Sequence, residues 1–229
     1  MAISQNELEN NVSSANQLLS NDKITFSQNG GQLKFLFVGN SITRHGPKAD
    51  IGWHGDWGMA ASSKEKDYVH RLVAMLEEKY GKVDYCIAQL ADWERGYLEG
   101  KRILEEQYAS VRAFAADVIV IRIGENMPKG SAPACKPQFC EMIEYFKAAP
   151  NAKVVVTDSF WRNDDRDEMI RELAQEQGYT FCHITDLETD PSTMALGLFE
   201  HRGVSRHPSD FGMEMIAKRL FDSITRVVR

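Results

Sequence analysis

Four cysteines in 229 residues are too few and too scattered to frame a disulfide-stapled fold. Cys86 and Cys182 fall in apolar runs and read as small core residues, while Cys135 and Cys140 flank Pro137 with no histidine nearby, which argues against a zinc site. Positive charge is also short: 27 Lys and Arg stand against 33 Asp and Glu, a net charge of −6. The absence of a basic stripe argues against a nucleic-acid backbone as the partner. No apolar run approaches the roughly 18 residues that a membrane-spanning helix needs. The opening MAISQNELENN lacks the basic and apolar regions of a secretory signal, so a cytoplasmic location is expected, although a trimmed secreted protein would look the same. No repeat or low-complexity tract interrupts the chain, and neither a cofactor nor a metal is expected.

What is present suits one α/β domain, with 43% hydrophobic residues to build its core. Residues 1–30 are polar and read as an appendage carrying a short helix, and residues 31–229 as the domain. Apolar strands are expected at 33–38, 83–88, 117–123, 153–157 and 180–184. Helices are expected between them at 66–80, 103–114, 138–148 and 159–177, with a last one from Ser209, whose side chain can cap it. Strands alternating with helices and no hairpin signals give a parallel sheet covered on both faces. Right-handed crossovers then gather every strand-to-helix loop on one edge.

That edge is where the chemistry-bearing residues fall. The run LKFLFVGNSIT stops at Gly39, placing Ser41 just past the first strand, where open α/β sheets keep their ligand crevices. VIVIRIGEN breaks at Gly124 and presents Asn126; GVSRHPSDFGM sets His207 before the last helix; and Asp92, Glu94 and Asp158 follow strands on the same side. A serine hydroxyl needs a base to become a nucleophile, and the resulting tetrahedral intermediate needs preorganised donors. Ser41, His207, the Ser41 N–H and the Asn126 amide supply those parts. The loop 44–63 carries Trp53 and Trp57, whose rings either pack on the body or line a pocket. His45 and His54 read as polar loop residues or sugar contacts before they read as a metal pair with Asp50 or Asp56. His70, His183 and His201 carry no ligand spacing.

These segments resemble the SGNH (GDSL-like) hydrolases. The resemblance implies a three-layer α/β/α sandwich with a five-stranded parallel sheet in flavodoxin-like order 2-1-3-4-5. It also implies Ser41 as nucleophile, His207 as base, and Asn126, after Gly124, as an oxyanion donor. Trp53, Trp57, Asp92 and Glu94 are the expected substrate-side residues. Three departures stand out: Asn40 replaces the aspartate of the GDS block, the second block has no glycine counterpart around residues 87–94, and Val204 occupies the place of the aspartate in DxxH. His207 must therefore be oriented by another group. A backbone carbonyl within 202–206 leads, Glu200 is second and Asp210 weaker. The activity implied is hydrolysis of acyl esters, with a small-molecule or oligosaccharide ester as partner. Two tryptophans beside the nucleophile point to acetylated carbohydrate rather than a lipid channel. A short-chain lipase or thioesterase is the alternative enzyme, and a decayed carbohydrate-binding protein the alternative class.

Overall fold

The structure is a computed structural model that describes residues 23–228. The expected short helix within residues 1–30 lies outside the described residues. Six strands form one sheet: β1 (Ile24–Ser27), β2 (Leu33–Gly39), β3 (Val83–Gln89), β4 (Val118–Arg122), β5 (Lys153–Thr157) and β6 (Thr180–Cys182). Their order is β1-β3-β2-β4-β5-β6. The five strands from β2 onward are parallel and reproduce the 2-1-3-4-5 order that the resemblance implied. The added strand is β1, which pairs antiparallel with β3 through Ile24 opposite Ala88 and Ser27 opposite Tyr85. It comes from the segment read as an appendage, and four residues next to polar sequence give too little periodicity to announce an edge strand.

Eight helices of α type are found among the described residues, α1 (Tyr68–Tyr80), α2 (Ala91–Arg95), α3 (Gly100–Gln107), α4 (Ala109–Ala113), α5 (Ala132–Phe146), α6 (Asp164–Gln177), α7 (Arg202–Ser205) and α8 (Asp210–Val227), and the remaining helical turns are short 3-10 ones. The helix expected over 103–114 is broken at Tyr108, whose hydroxyl is drawn to the Gln89 carbonyl at 2.6 Å. The helix expected from residue 138 starts six residues earlier and keeps Pro137 inside it. Side chains of the central strands alternate between two cores. Leu36, Val38, Ile119, Ile121, Val154 and Val156 pack under α3 to α6. Phe35, Phe37, Val118, Val120 and Val155 pack under α1 and α8. Burial on both faces makes these strands read as continuous apolar runs, and it leaves polar chemistry to the carboxyl edge.

Candidate active site

At that edge β2 ends in Gly39, where a Cβ would sit 1.7 Å from Thr43 Oγ1 and 2.9 Å from the Arg122 carbonyl oxygen. Only glycine lets the chain turn here. The turn is closed by Thr43 and Arg44 N–H groups donating to the Asn40 carbonyl, and Met59 N–H donates to the Ser41 carbonyl at 2.9 Å. Ser41 is left half-buried, its Oγ 2.8 Å from His207 Nε2.

His207 follows the single turn α7, which folds back so that His207 Nδ1 lies 2.7 Å from the Gly203 carbonyl oxygen. A carbonyl can only accept, so Nδ1 carries the proton and the Nε2 lone pair faces Ser41. The carbonyl within 202–206 thus holds the ring. Glu200 is exposed, while Asp210 accepts from Ser62 N–H, Ser62 Oγ and Lys66. Val204 is fully buried in a small apolar cluster with Ile51, Trp53, Met59 and Ala195. Burial lowers the His207 pKa to about 3, against the pull of the Gly203 bond, and the neighbouring His45 and Arg122 add to the lowering. The imidazole is therefore neutral at ordinary pH, with its Nε2 lone pair unprotonated.

Beneath Ser41 lies a charged floor. Arg122 donates to Glu125 at 2.6 Å and also to Asn40 Oδ1, and both members of the ion pair are buried. Asn40 Nδ2 donates to Glu125 at 2.7 Å and to Glu94 at 3.2 Å. An aspartate at position 40 would crowd a third carboxylate around one guanidinium, which gives a physical reason for asparagine there. Burial opposes ionisation of Glu125, but Arg122 outweighs it and holds the carboxyl down at about 2. Glu94 is raised by its complete burial and by Glu125, opposed by its hydrogen bonds from Asn126 and Gly124.

Asn126 follows Gly124, whose φ of 139° and approach to Arg166, 2.6 Å from a hypothetical Cβ, exclude other residues. The Asn126 side-chain amide donates to Glu94 at 2.6 Å, which fixes its orientation and leaves it a second amide proton.

The other expected residues are dispersed. Asp92 is occupied by Lys23 at 2.6 Å and the Tyr108 hydroxyl at 3.0 Å. Trp53 is 3% exposed, donates to the His45 carbonyl and stacks edge-on with Trp57. Trp57 donates to Ala61 O. The two rings form the interior of their loop and back the segment that carries His207, which is the packing alternative. His45 is buried and its pKa falls to about 4 through burial, while His54 is exposed. Among the described residues, no group of three or more His, Cys, Asp and Glu side chains is placed to hold a metal. Sequence reasoning missed Trp161, whose ring meets the His207 imidazole edge-on at 4.9 Å. Its Nε1 donates to the Arg206 carbonyl. It sits in a polar run read only as a helix start, and no spacing rule points from it to His207.

The sheet order and the crossovers give an α/β/α sandwich that fits the SGNH-like fold. Among solved structures, a Clostridium thermocellum family 3 carbohydrate esterase matches with a TM-score of 0.58 at 16% identity, over 85% of this chain and 96% of that one. An acetyl-xylooligosaccharide esterase from a Geobacillus species matches at 0.55 and 16%, over 86% and 96%. A GDSL-like lipase of Parabacteroides merdae matches at 0.56 and 18%, over 85% and 96%. No family profile and no curated protein sequence matches the chain.

Proposed function

We propose that the protein is a serine esterase that removes acyl groups, acetyl above all, from a carbohydrate. The observation that carries this reading is the 2.8 Å contact between Ser41 Oγ and a His207 ring whose other nitrogen is held by the Gly203 carbonyl. In the reaction, Ser41 Oγ bonds to the ester carbonyl carbon as its proton passes to His207 Nε2. The carbonyl oxygen becomes an oxyanion facing the Ser41 N–H and the Asn126 amide. On collapse the C–O bond to the sugar breaks, and the proton on Nε2 goes to the departing hydroxyl. Water then repeats the sequence on the acyl-serine. Among the described residues no carboxylate is hydrogen-bonded to His207, so the reading is a dyad in which the carbonyl orients the ring but contributes no full charge to the imidazolium.

A carbohydrate substrate is supported by the aromatic and polar rim. Trp161 stands beside His207, and next to it Glu188 accepts from the Arg162 backbone N–H and pairs with the Arg206 guanidinium at 3.9 Å. It is further supported by the matched structures that are esterases of acetylated xylo-oligosaccharides and, at a TM-score of 0.57 and 15% identity over 85% of this chain and 50% of that one, of acetylated mannans. The test is hydrolysis of p-nitrophenyl acetate, butyrate and octanoate beside acetylated xylo- and manno-oligosaccharides. The acetyl ester and an acetylated oligosaccharide are expected to turn over fastest. Ser41→Ala is expected to remove turnover while leaving the fold intact, and retention of more than about a hundredth of kcat would defeat Ser41 as nucleophile, given the losses typical of removing a nucleophile. A preference for octanoate would replace the carbohydrate reading with a lipase.

A further inference from the structure

Glu94 is fully buried, sits in the one-turn helix α2, and touches neither Ser41 nor His207 in the described contacts. Its carboxylate is nonetheless the meeting point of the two loops that build the oxyanion side. Oε1 accepts from Gly124 N–H at 2.6 Å, from Asn126 N–H at 3.1 Å and from Asn40 Nδ2 at 3.2 Å. Oε2 accepts from Asn126 Nδ2 at 2.6 Å. An ionised carboxylate offers about four acceptor sites and no donor. Four donors fill them, and three of the four belong to the Gly124–Asn126 loop.

Resting on the esterase reading above, we infer that Glu94 is the positioning residue of the oxyanion site. It clips the Asn126 amide so that nitrogen, not oxygen, faces the developing oxyanion, and it ties that amide to Asn40, the neighbour of the nucleophile. The second sequence block, which lacks the expected glycine, thus contributes a side-chain acceptor to the site. The nearby backbone N–H of Ala91 is itself engaged by Gln89 Oε1 at 3.2 Å.

The shape of the carboxylate makes the inference testable, because Glu94→Gln changes one acceptor into a donor at almost constant volume. The new amide N–H₂ would face the Asn126 amide donor to donor. Turning Asn126 over relieves that contact and presents its carbonyl to the oxyanion. With p-nitrophenyl acetate, Glu94→Gln is expected to lower kcat by about 10²–10³, the usual loss for one oxyanion donor, with KM within about threefold. Because Glu94 acts through Asn126, the double variant Glu94→Gln/Asn126→Ala is expected to be no slower than Asn126→Ala alone. Effects that multiply, or a single-variant kcat within threefold of wild type, would overturn the inference.

Two further measurements keep a folding defect or an inactive wild type from hiding the answer. Glu94→Asp keeps the charge but draws it back by one methylene, and it too is expected to show no added loss in the Asn126→Ala background; an added loss counts against the clip. Independently of turnover, the Asn126 side-chain amide protons are expected to be shifted downfield and protected from exchange in wild type and to lose both properties in Glu94→Gln. Unchanged amide signals would sink the inference even if the protein hydrolysed nothing. The esterase reading fails separately, if a fluorophosphonate probe labels neither wild-type Ser41 nor any other residue.

Discussion

The two halves of the site are supported by opposite means. On the side of Ser41 and Asn126, the side chains of Asn40, Glu94, Arg122, Glu125 and Asn126 form a largely buried network in which every amide orientation is set by a charged partner. On the base side, His207 is held by one neutral carbonyl, by the edge of Trp161 and by an apolar cluster around Val204 and Trp53. Charge is in direct hydrogen-bond contact with the amides of Asn40 and Asn126, whereas the His207 ring has a neutral carbonyl as its Nδ1 partner. The comparison teaches that the strand-end loops can be fixed by electrostatics while the base is fixed by packing. Reading catalysis from carboxylates alone would assign the wrong partner to His207.

The largest effect should come from breaking the charged floor. Arg122 is the one cation in direct contact with Glu125 and Asn40 among the described residues. Arg122→Met leaves Glu125 and Glu94 buried without it, and a loss of about 3–5 kcal/mol is expected from removing one partner of a buried pair. Urea denaturation monitored by tryptophan fluorescence checks this. A loss below about 1 kcal/mol, within the range of exposed pairs, would mean that the floor is held by something other than this ion pair.

A second prediction concerns pH. His207 and His45 are lowered to about 3 and about 4 in the folded protein, mainly by burial, from an ordinary value of 6.5. As pH falls below 6.5, the unfolded chain takes up protons that the folded protein refuses, so stability is lost progressively down to about pH 4 for His45 and about pH 3 for His207. Glu94, raised in the fold, works in the opposite direction, because its folded form takes up a proton before its unfolded form does. The histidine contribution is isolated by His45→Gln, which should flatten the decline of the urea midpoint between pH 6.5 and 4.5. An unchanged slope would place His45 in a more solvated setting.

The smallest effect sharpens the base side. Glu200 is exposed and the Nδ1 contact is taken by the Gly203 carbonyl, so Glu200→Gln should change kcat for p-nitrophenyl acetate by less than about tenfold, against the roughly 10⁴ lost when an orienting acid is removed from a triad. A loss near the triad figure would name Glu200 as the acid.

Much of this was legible in the chain itself. Five continuous apolar runs predicted five parallel strands because both faces are buried, and Ser41, Asn126 and His207 stood out because each follows a strand or precedes a helix at one edge. Val204 at the place of an acid already signalled a backbone acceptor, but the particular carbonyl, Gly203, has no side chain to betray it. The hydrogen bonds of Glu94 were hidden because its partners lie 30, 32 and 54 residues away in sequence. Trp53 and Trp57 were visible as a pair, whereas their direction, inward to each other and to Phe199, is a property of the folded loop. Strand β1 escaped because an edge strand of four residues gains its stability from β3 and not from its own pattern.

The central claim is that His207 is a neutral base oriented by a carbonyl. It is tested most directly by long-range ¹H–¹⁵N correlation spectra of the His207 ring in the resting protein between pH 7 and 4.5. The account predicts a neutral ring protonated on Nδ1, with Nε2 unprotonated throughout that range. An imidazolium forming near pH 6.5, or a proton on Nε2 at pH 7, would contradict it.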